Sequence, residues 1–267
     1  MDYTARFGLE FNPFLKNSKE ILVETQEFLE LRFRLDYLLS TKGFGLLTGS
    51  PGQGKTTALR CWARSLNPSL YKVVYSSLST LTVMEFYRHL ATELGLSPAH
   101  RKVENFRSIQ AEVNRLSLEK RVTPVFILDE ANYISGSILN DLKLLFNFEM
   151  DSRDRVVVLL AGLPQLNNTL RLGIHEPLRQ RIVMNYDLDG LSKEEGRLYI
   201  RKKLEGAGCH QPVFDGNALE ALLNASNGTP RVINKLCDKC LLIGNSGALN
   251  LITADVVMQA INDCELG

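Results

Sequence analysis

Gly49-Ser50-Pro51-Gly52-Gln53-Gly54-Lys55-Thr56 gathers glycines, a lysine and a hydroxyl into one short stretch. Glycines let successive backbone amides turn inward around an anion, and a helix starting at the same point adds favourable partial charge. The spacing is G-x-x-x-x-G-K-[ST]. It follows the apolar run "FGLLTG" and opens the helical pattern "KTTALRCWARSL", the context in which it forms a phosphate-binding loop. On this reading Gly49, Pro51, Gly52, Gln53, Gly54, Lys55, Thr56 and Thr57 cradle a nucleoside triphosphate. Lys55 reaches the β- and γ-phosphates, and Thr56 supplies a hard oxygen for Mg²⁺.

The complementary half of such a site is an acidic strand end. "VFILDEAN" provides apolar residues and then Asp129 and Glu130. Asp129 is expected to hold the metal through water and Glu130 to take a proton from the attacking water. Asn132 is placed to tether that water or Glu130. "LRQRIVMNYDL" sets Arg179 and Arg181 just ahead of a strand, and "NGTPRVINKL" sets Arg231 at a helix start. A cation at the first position suits the γ-phosphate of a neighbouring subunit, with Arg181 the expected finger and Arg179 its reserve. The Gly-x-Pro-Arg turn makes Arg231 a nucleotide sensor.

Alternation of strands and helices must position these groups. Apolar runs at 44–49, 71–77, 123–130, 155–162 and 181–188, separated by helical patterns, predict a parallel sheet covered on both faces. Residues 27–40 carry helical periodicity, with Leu29, Phe33, Tyr37 and Leu38 on the expected buried face. Beyond "YDLDGLS" the pattern turns wholly helical, beginning with a Ser cap and acidic first turn and breaking at Gly206 and Gly208. The expected division is an α/β nucleotide-binding base over 1–189, including an N-terminal segment 1–20, and a helical lid over 190–267.

Composition narrows the class. The chain has 267 residues, 45% apolar and 23% charged, with a net charge of +1, so attraction for nucleic acid must come from a local patch. No apolar run is long enough to span a membrane and the start lacks a signal-peptide pattern, which predicts a cytoplasmic protein without membrane partners. The 5 cysteines form no disulfide framework. Cys237 and Cys240 sit in an apolar periodic stretch, and with Cys209 they read as buried thiols rather than metal ligands.

Taken in order, "FGLEFNPF", "LLTGSPGQGKTT", "FILDEAN", "LLAGLPQL", "LRQRI" and "GTPRVINKLCDKCLL" resemble the AAA+ ATPases of the ExeA-like group (general secretion pathway protein A). The chain also looks like the transposon-encoded TniB/TnsC helper ATPases and, more distantly, the B protein of phage Mu. The resemblance covers nearly the whole chain. It implies an α/β AAA+ P-loop module with strand order 5-1-4-3-2, a small helical lid closing over ATP, and a site completed between subunits. Lys55, Thr56, Asp129, Glu130, Arg181 and Arg231 match the family's positions. One departure stands out: relatives carry a polar residue where this chain has Leu163, so sensor 1 is absent or replaced, for instance by Gln165, and a slow switch is expected.

Secretion-type relatives carry further segments after the ATPase, whereas this chain's end at "INDCELG" favours a helper ATPase. Such helpers assemble on double-stranded DNA with ATP and present it to a transposase or integrase, sometimes with a targeting protein. A secretion or envelope-assembly ATPase, or a nucleotide-gated interaction switch without DNA, is the alternative. Arg60, Arg64, Lys72, Arg101, Lys102, Arg107, Lys120 and Arg121, with His100, form the expected DNA-facing set, contacting phosphates without reading bases. Phe11, Pro13 and Phe14 of the N-terminal tract are expected to cover the adenine.

Overall fold

Apolar residues dictate which strands lie at the centre. In the computed structural model, which describes residues 3–78 and 80–265, β1 (Gly43–Gly49) and β4 (Val157–Gly162) are buried at every position. β3 (Thr123–Leu128) is buried at all but its first residue. β2 (Tyr71–Ser76) and β5 (Ile182–Leu188) mix buried and exposed positions, as strands at sheet edges do. The order is β2-β3-β4-β1-β5, all parallel, which is the expected 5-1-4-3-2 arrangement read from the other edge.

The chain forms two units, one made of Glu30–Pro51 and Lys55–Leu188, the other of the described residues up to Leu29, Gly52–Gly54 and those from Asp189 onward. In the first unit the sheet is accompanied by α1 (Gln26–Thr41, whose first turn belongs to the second unit), α2 (Lys55–Ser65), α3 (Val83–Glu93), α4 (Lys102–Asn114), α5 (Gly136–Leu145), α6 (Gln165–Arg171) and α7 (Glu176–Arg179). Phe126 and Phe146 stack at 4.8 Å within its core, and Phe44 meets Phe146 edge-on at 6.5 Å. Thr82 and Glu85 close a capping box at the start of α3.

The buried face of α1 differs from expectation. Leu31, Leu35, Leu38 and Leu39 are buried, while Leu29, Phe33 and Tyr37 are 44%, 70% and 53% exposed. The helix carries two apolar stripes, and packing selected the one with leucines at close spacing. Leu38 lies over Gly45, where a Cβ would come within 2.4 Å of the leucine Cδ2. The Trp62 indole donates to Asp36 at 3.0 Å, fixing α2 beside α1.

The second unit contains α8 (Lys193–Gly206), α9 (Gly216–Ser226), α10 (Pro230–Ser246) and α11 (Ala254–Glu265). Ser192 and Glu195 form the capping box of α8, and Gly208 turns the chain at φ 91° after it. The N-terminal tract, assigned to the base from the sequence, packs in this unit instead. Phe7, Leu9 and Phe14 are each 5% exposed and join Ile200, Leu204, Cys237 and Leu241 in one core. Buried Asn12 ties the tract down: its amide donates to Asp238 at 2.6 Å and to the Tyr3 oxygen at 2.7 Å, and its carbonyl accepts the Phe14 N–H. Lys203 donates to the Pro13 carbonyl at 2.9 Å.

A phenylalanine enclosed in this way has no face left for a base, so the assignment of Phe14 to the adenine gives way to a core role. Phe11 is half-buried, with Lys19 over its ring at 5.9 Å. Cys209, Cys237 and Cys240 are buried free thiols, and burial pushes Cys237 well above its ordinary range. Phe14→Ala is expected to lower the unfolding free energy by about 3–5 kcal/mol. Urea denaturation measures this, and the folded protein should keep its nucleotide affinity.

Candidate nucleotide site

Two short segments at the C-terminal ends of parallel strands build the site. β1 runs into the loop 50–54, and α2 begins directly at Lys55. Gly52 and Gly54 adopt φ 86° and 101°, which glycine takes at little cost and other residues do not. A Cβ on Gly52 would lie 2.8 Å from the Cβ of Arg231, and the Gly52 carbonyl accepts the Arg231 N–H at 3.2 Å. The Gly-x-Pro-Arg turn therefore fixes the backbone of Arg231 against the loop, while its side chain is exposed. Lys55 is only 9% exposed, its ammonium donating to the carbonyls of Gly49 at 2.6 Å and Ser50 at 3.0 Å.

Asp129 ends the buried strand β3 and is 2% exposed. Its Oδ2 accepts the Thr56 hydroxyl at 2.8 Å and the Tyr75 hydroxyl at 2.9 Å, and its Oδ1 accepts the Glu130 N–H at 2.9 Å. Burial, then the nearby Asp129 and Glu130 charges, push the Tyr75 phenol up to about 12. Glu130 adopts φ 53°, ψ 34°, the left-handed region that a non-glycine residue enters at some cost. That backbone turn leaves the carboxylate of Glu130 exposed immediately beside a buried one. A loop with glycines at positive φ, a buried ammonium and a hydroxyl–carboxylate pair of hard oxygens fit a triphosphate with Mg²⁺. Thr56 and Asp129 are the residues that would hold the metal.

Other expected roles shift. Asn132 turns to β4 instead of Glu130: its Oδ1 accepts the Leu163 N–H at 3.0 Å and lies where a Cβ on Gly162 would meet it at 2.9 Å. It fastens the end of β4. Gln165 is exposed at the start of α6. Asn167, one turn further, donates to Thr48 at 3.0 Å, and Thr48 donates to Asp187 at 2.9 Å, a polar chain at the strand ends that the sequence reading missed. Its signal is a threonine inside an otherwise apolar strand. Tyr75 was missed as well, because its partner lies on the next strand.

Arg181 is not available as a finger. Its guanidinium donates to the carbonyls of Lys143 at 3.0 Å and Phe146 at 3.4 Å, lies 5.5 Å from the Phe44 ring centre and sits 3.8 Å from Asp154. These contacts close the C-terminal end of α5, whose last carbonyls otherwise lack donors. Arg179 is exposed and donates to the Arg171 carbonyl at 3.1 Å.

The basic set does not form one face. Lys120 and Arg121 precede the N-terminal end of β3, whereas Arg101 and Lys102 lie beside the first turns of α3, which leaves the opposite end of the sheet. Lys72 donates to the Leu94 carbonyl at 2.7 Å and Lys102 pairs with Asp141 at 2.6 Å, so both are engaged within the fold. Arg60, Arg64, Arg101, Arg107, Lys120 and Arg121, with His100, are exposed. Among the described residues no helix is long and apolar enough to cross a membrane.

Comparison with known proteins gives concordant matches. A family model described as an AAA domain matches residues 37–170. General secretion pathway protein A of Aeromonas hydrophila is 33% identical over 264 residues, covering 97% of this chain and 48% of that protein. The chain thus spans about half the length of this relative. The ATP-dependent target DNA activator B of Escherichia phage Mu is 29% identical over 123 residues, 46% of this chain and 37% of that protein. Among solved structures, Cdc6p of Pyrobaculum aerophilum superposes with a TM-score of 0.68 at 16% identity, over 90% of this chain and 67% of that one, a likeness of fold. Arg181→Ala is expected to destabilise the protein by about 2–4 kcal/mol by orphaning buried carbonyls. Arg179→Ala should stay within about 0.5 kcal/mol of the parent. Chemical denaturation of the two variants checks both.

Proposed function

The chain belongs to the AAA domain family, and from that premise we propose that it is a self-assembling ATPase that binds double-stranded DNA for a partner transposase or integrase. The observation that carries the catalytic part is the 2.8 Å contact between Thr56 and Asp129, which joins the phosphate loop to the acidic strand end. With ATP present, Lys55 exchanges the loop carbonyls for phosphate oxygens, and the amides of residues 50–54 close around them. Mg²⁺ held by Thr56 and Asp129 would neutralise charge on the phosphates. Glu130 orients the attacking water and takes its proton. Arg231, whose N–H donates to the Gly52 carbonyl, is the proposed nucleotide sensor.

Arg179 takes the finger role, reaching the γ-phosphate of a neighbouring copy, an arrangement worth about 10³–10⁵ in rate. Apolar Leu163 offers no side-chain hydrogen bond to that phosphate, which suits slow turnover and a switch rather than a motor. Support for DNA comes from the phage Mu relative, an ATP-dependent target DNA activator by name, and from the exposed Arg60, Arg64, Arg101, Arg107, Lys120 and Arg121. These would contact phosphates, so binding falls steeply with salt. Work on DNA in this form places the protein in the cytoplasm.

The Aeromonas relative, similar over more of this chain, supports a second reading as an ATPase of secretion or envelope assembly. Gel mobility of duplex DNA at low salt separates the two. Parent protein with ATP should shift the DNA, Lys55→Ala should not, and Glu130→Gln should hold the shift long after the parent has released it. Absence of any shift by parent protein and Glu130→Gln removes DNA from the proposal and leaves the secretion reading.

A further inference from the structure

Tyr75 reaches the Asp129 carboxylate from the neighbouring strand. Parallel register pairs Tyr75 with Ile127, and Asp129 stands two residues further, so both side chains fall on the same face of the sheet. Its hydroxyl lies 2.9 Å from Oδ2, the same oxygen that accepts the Thr56 hydroxyl at 2.8 Å. A carboxylate oxygen offers about two lone-pair directions. Two O–H donors therefore engage both directions on the side of Asp129 that Thr56 marks as the metal side.

The two hydroxyls are not equivalent once a metal is considered. Thr56 can ligate through its oxygen while its proton stays on Asp129. The neutral phenol oxygen of Tyr75 is a poor ligand for Mg²⁺, and its proton occupies an acceptor that a hydration water of the metal needs. The ring is also 43% exposed on an edge strand, against 2% for its acceptor, so its departure uncovers little apolar surface.

We propose that Tyr75 is a positioning residue that acts as a brake: its hydroxyl holds Asp129 Oδ2 and must leave before Asp129 can receive a hydration water of the metal. The inference rests on the ATP and Mg²⁺ reading above. It makes the edge strand β2 a place from which the metal site is controlled, because whatever draws the exposed ring outward frees the carboxylate.

Binding of a fluorescent ATP analogue, titrated with MgCl₂, tests this without hydrolysis. Tyr75→Phe, which keeps the ring and removes the hydroxyl, should lower the half-saturating Mg²⁺ concentration roughly three- to tenfold. Binding in EDTA should equal that of the parent protein, and Tyr75→Leu should give the same shift, since only the hydroxyl matters. In an Asp129→Asn background Tyr75→Phe should add nothing. An unchanged or raised Mg²⁺ requirement in Tyr75→Phe overturns the proposal, as does a shift that survives Asp129→Asn. Parent protein that binds the analogue without any Mg²⁺ dependence, or not at all, overturns the metal-site reading itself along with the brake.

Discussion

A buried carboxylate just past the end of a central strand is the constraint on which the site depends. A carboxylate at 2% exposure needs donors converging on it, and for Asp129 the fold supplies them from separate elements. Thr56 comes from the first turn of α2, Tyr75 from β2 and the Glu130 amide from the strand's own exit turn. The Tyr75 contact requires the parallel register of β2 and β3, since a slip by one residue would carry Tyr75 to the opposite face. The sheet order, the loop before α2 and the left-handed turn at Glu130 thus serve one arrangement of charge.

The same logic separates the arginines. A guanidinium close to a helix end with exposed carbonyls is drawn into the fold, and Arg181 finds Lys143, Phe146 and the Phe44 ring within reach. Arg179, two residues earlier at the end of α7, is exposed and donates to the Arg171 carbonyl. Chemistry between copies requires a cation held at its own subunit's surface, and exposed Arg179 fits that better than Arg181. The helical unit shows a parallel choice: the N-terminal phenylalanines gain more by joining its core than by lining a ligand surface, and Asn12 locks that choice through Asp238.

Sequence legibility followed the range of the interactions. Strands 44–49, 71–77, 123–130, 155–162 and 181–188 were readable because apolar runs between turns have few alternatives, and Lys55, Thr56 and Asp129 were readable because their spacing is local to strand ends. The buried face of α1 was not, since the helix has two apolar stripes and periodicity alone cannot choose between them. The role of Arg181 depends on carbonyls 38 and 35 residues away, and that of Tyr75 on a carboxylate 54 residues away. Nothing in the local sequence carries such partners. Phe14 was legible as apolar and misassigned in its partner, for the same reason.

The central claim is a nucleotide site made of Lys55, Thr56, Asp129 and Glu130 and completed by Arg179 of a second copy. Mixing Lys55→Ala protein with Arg179→Ala protein tests it most directly, because each alone lacks one half of every site. The account predicts that each variant is inactive and that an equimolar mixture recovers roughly a quarter of the parent ATPase rate, the share of random neighbours that pair an intact loop with an intact finger. A mixture no more active than its separate components would contradict it.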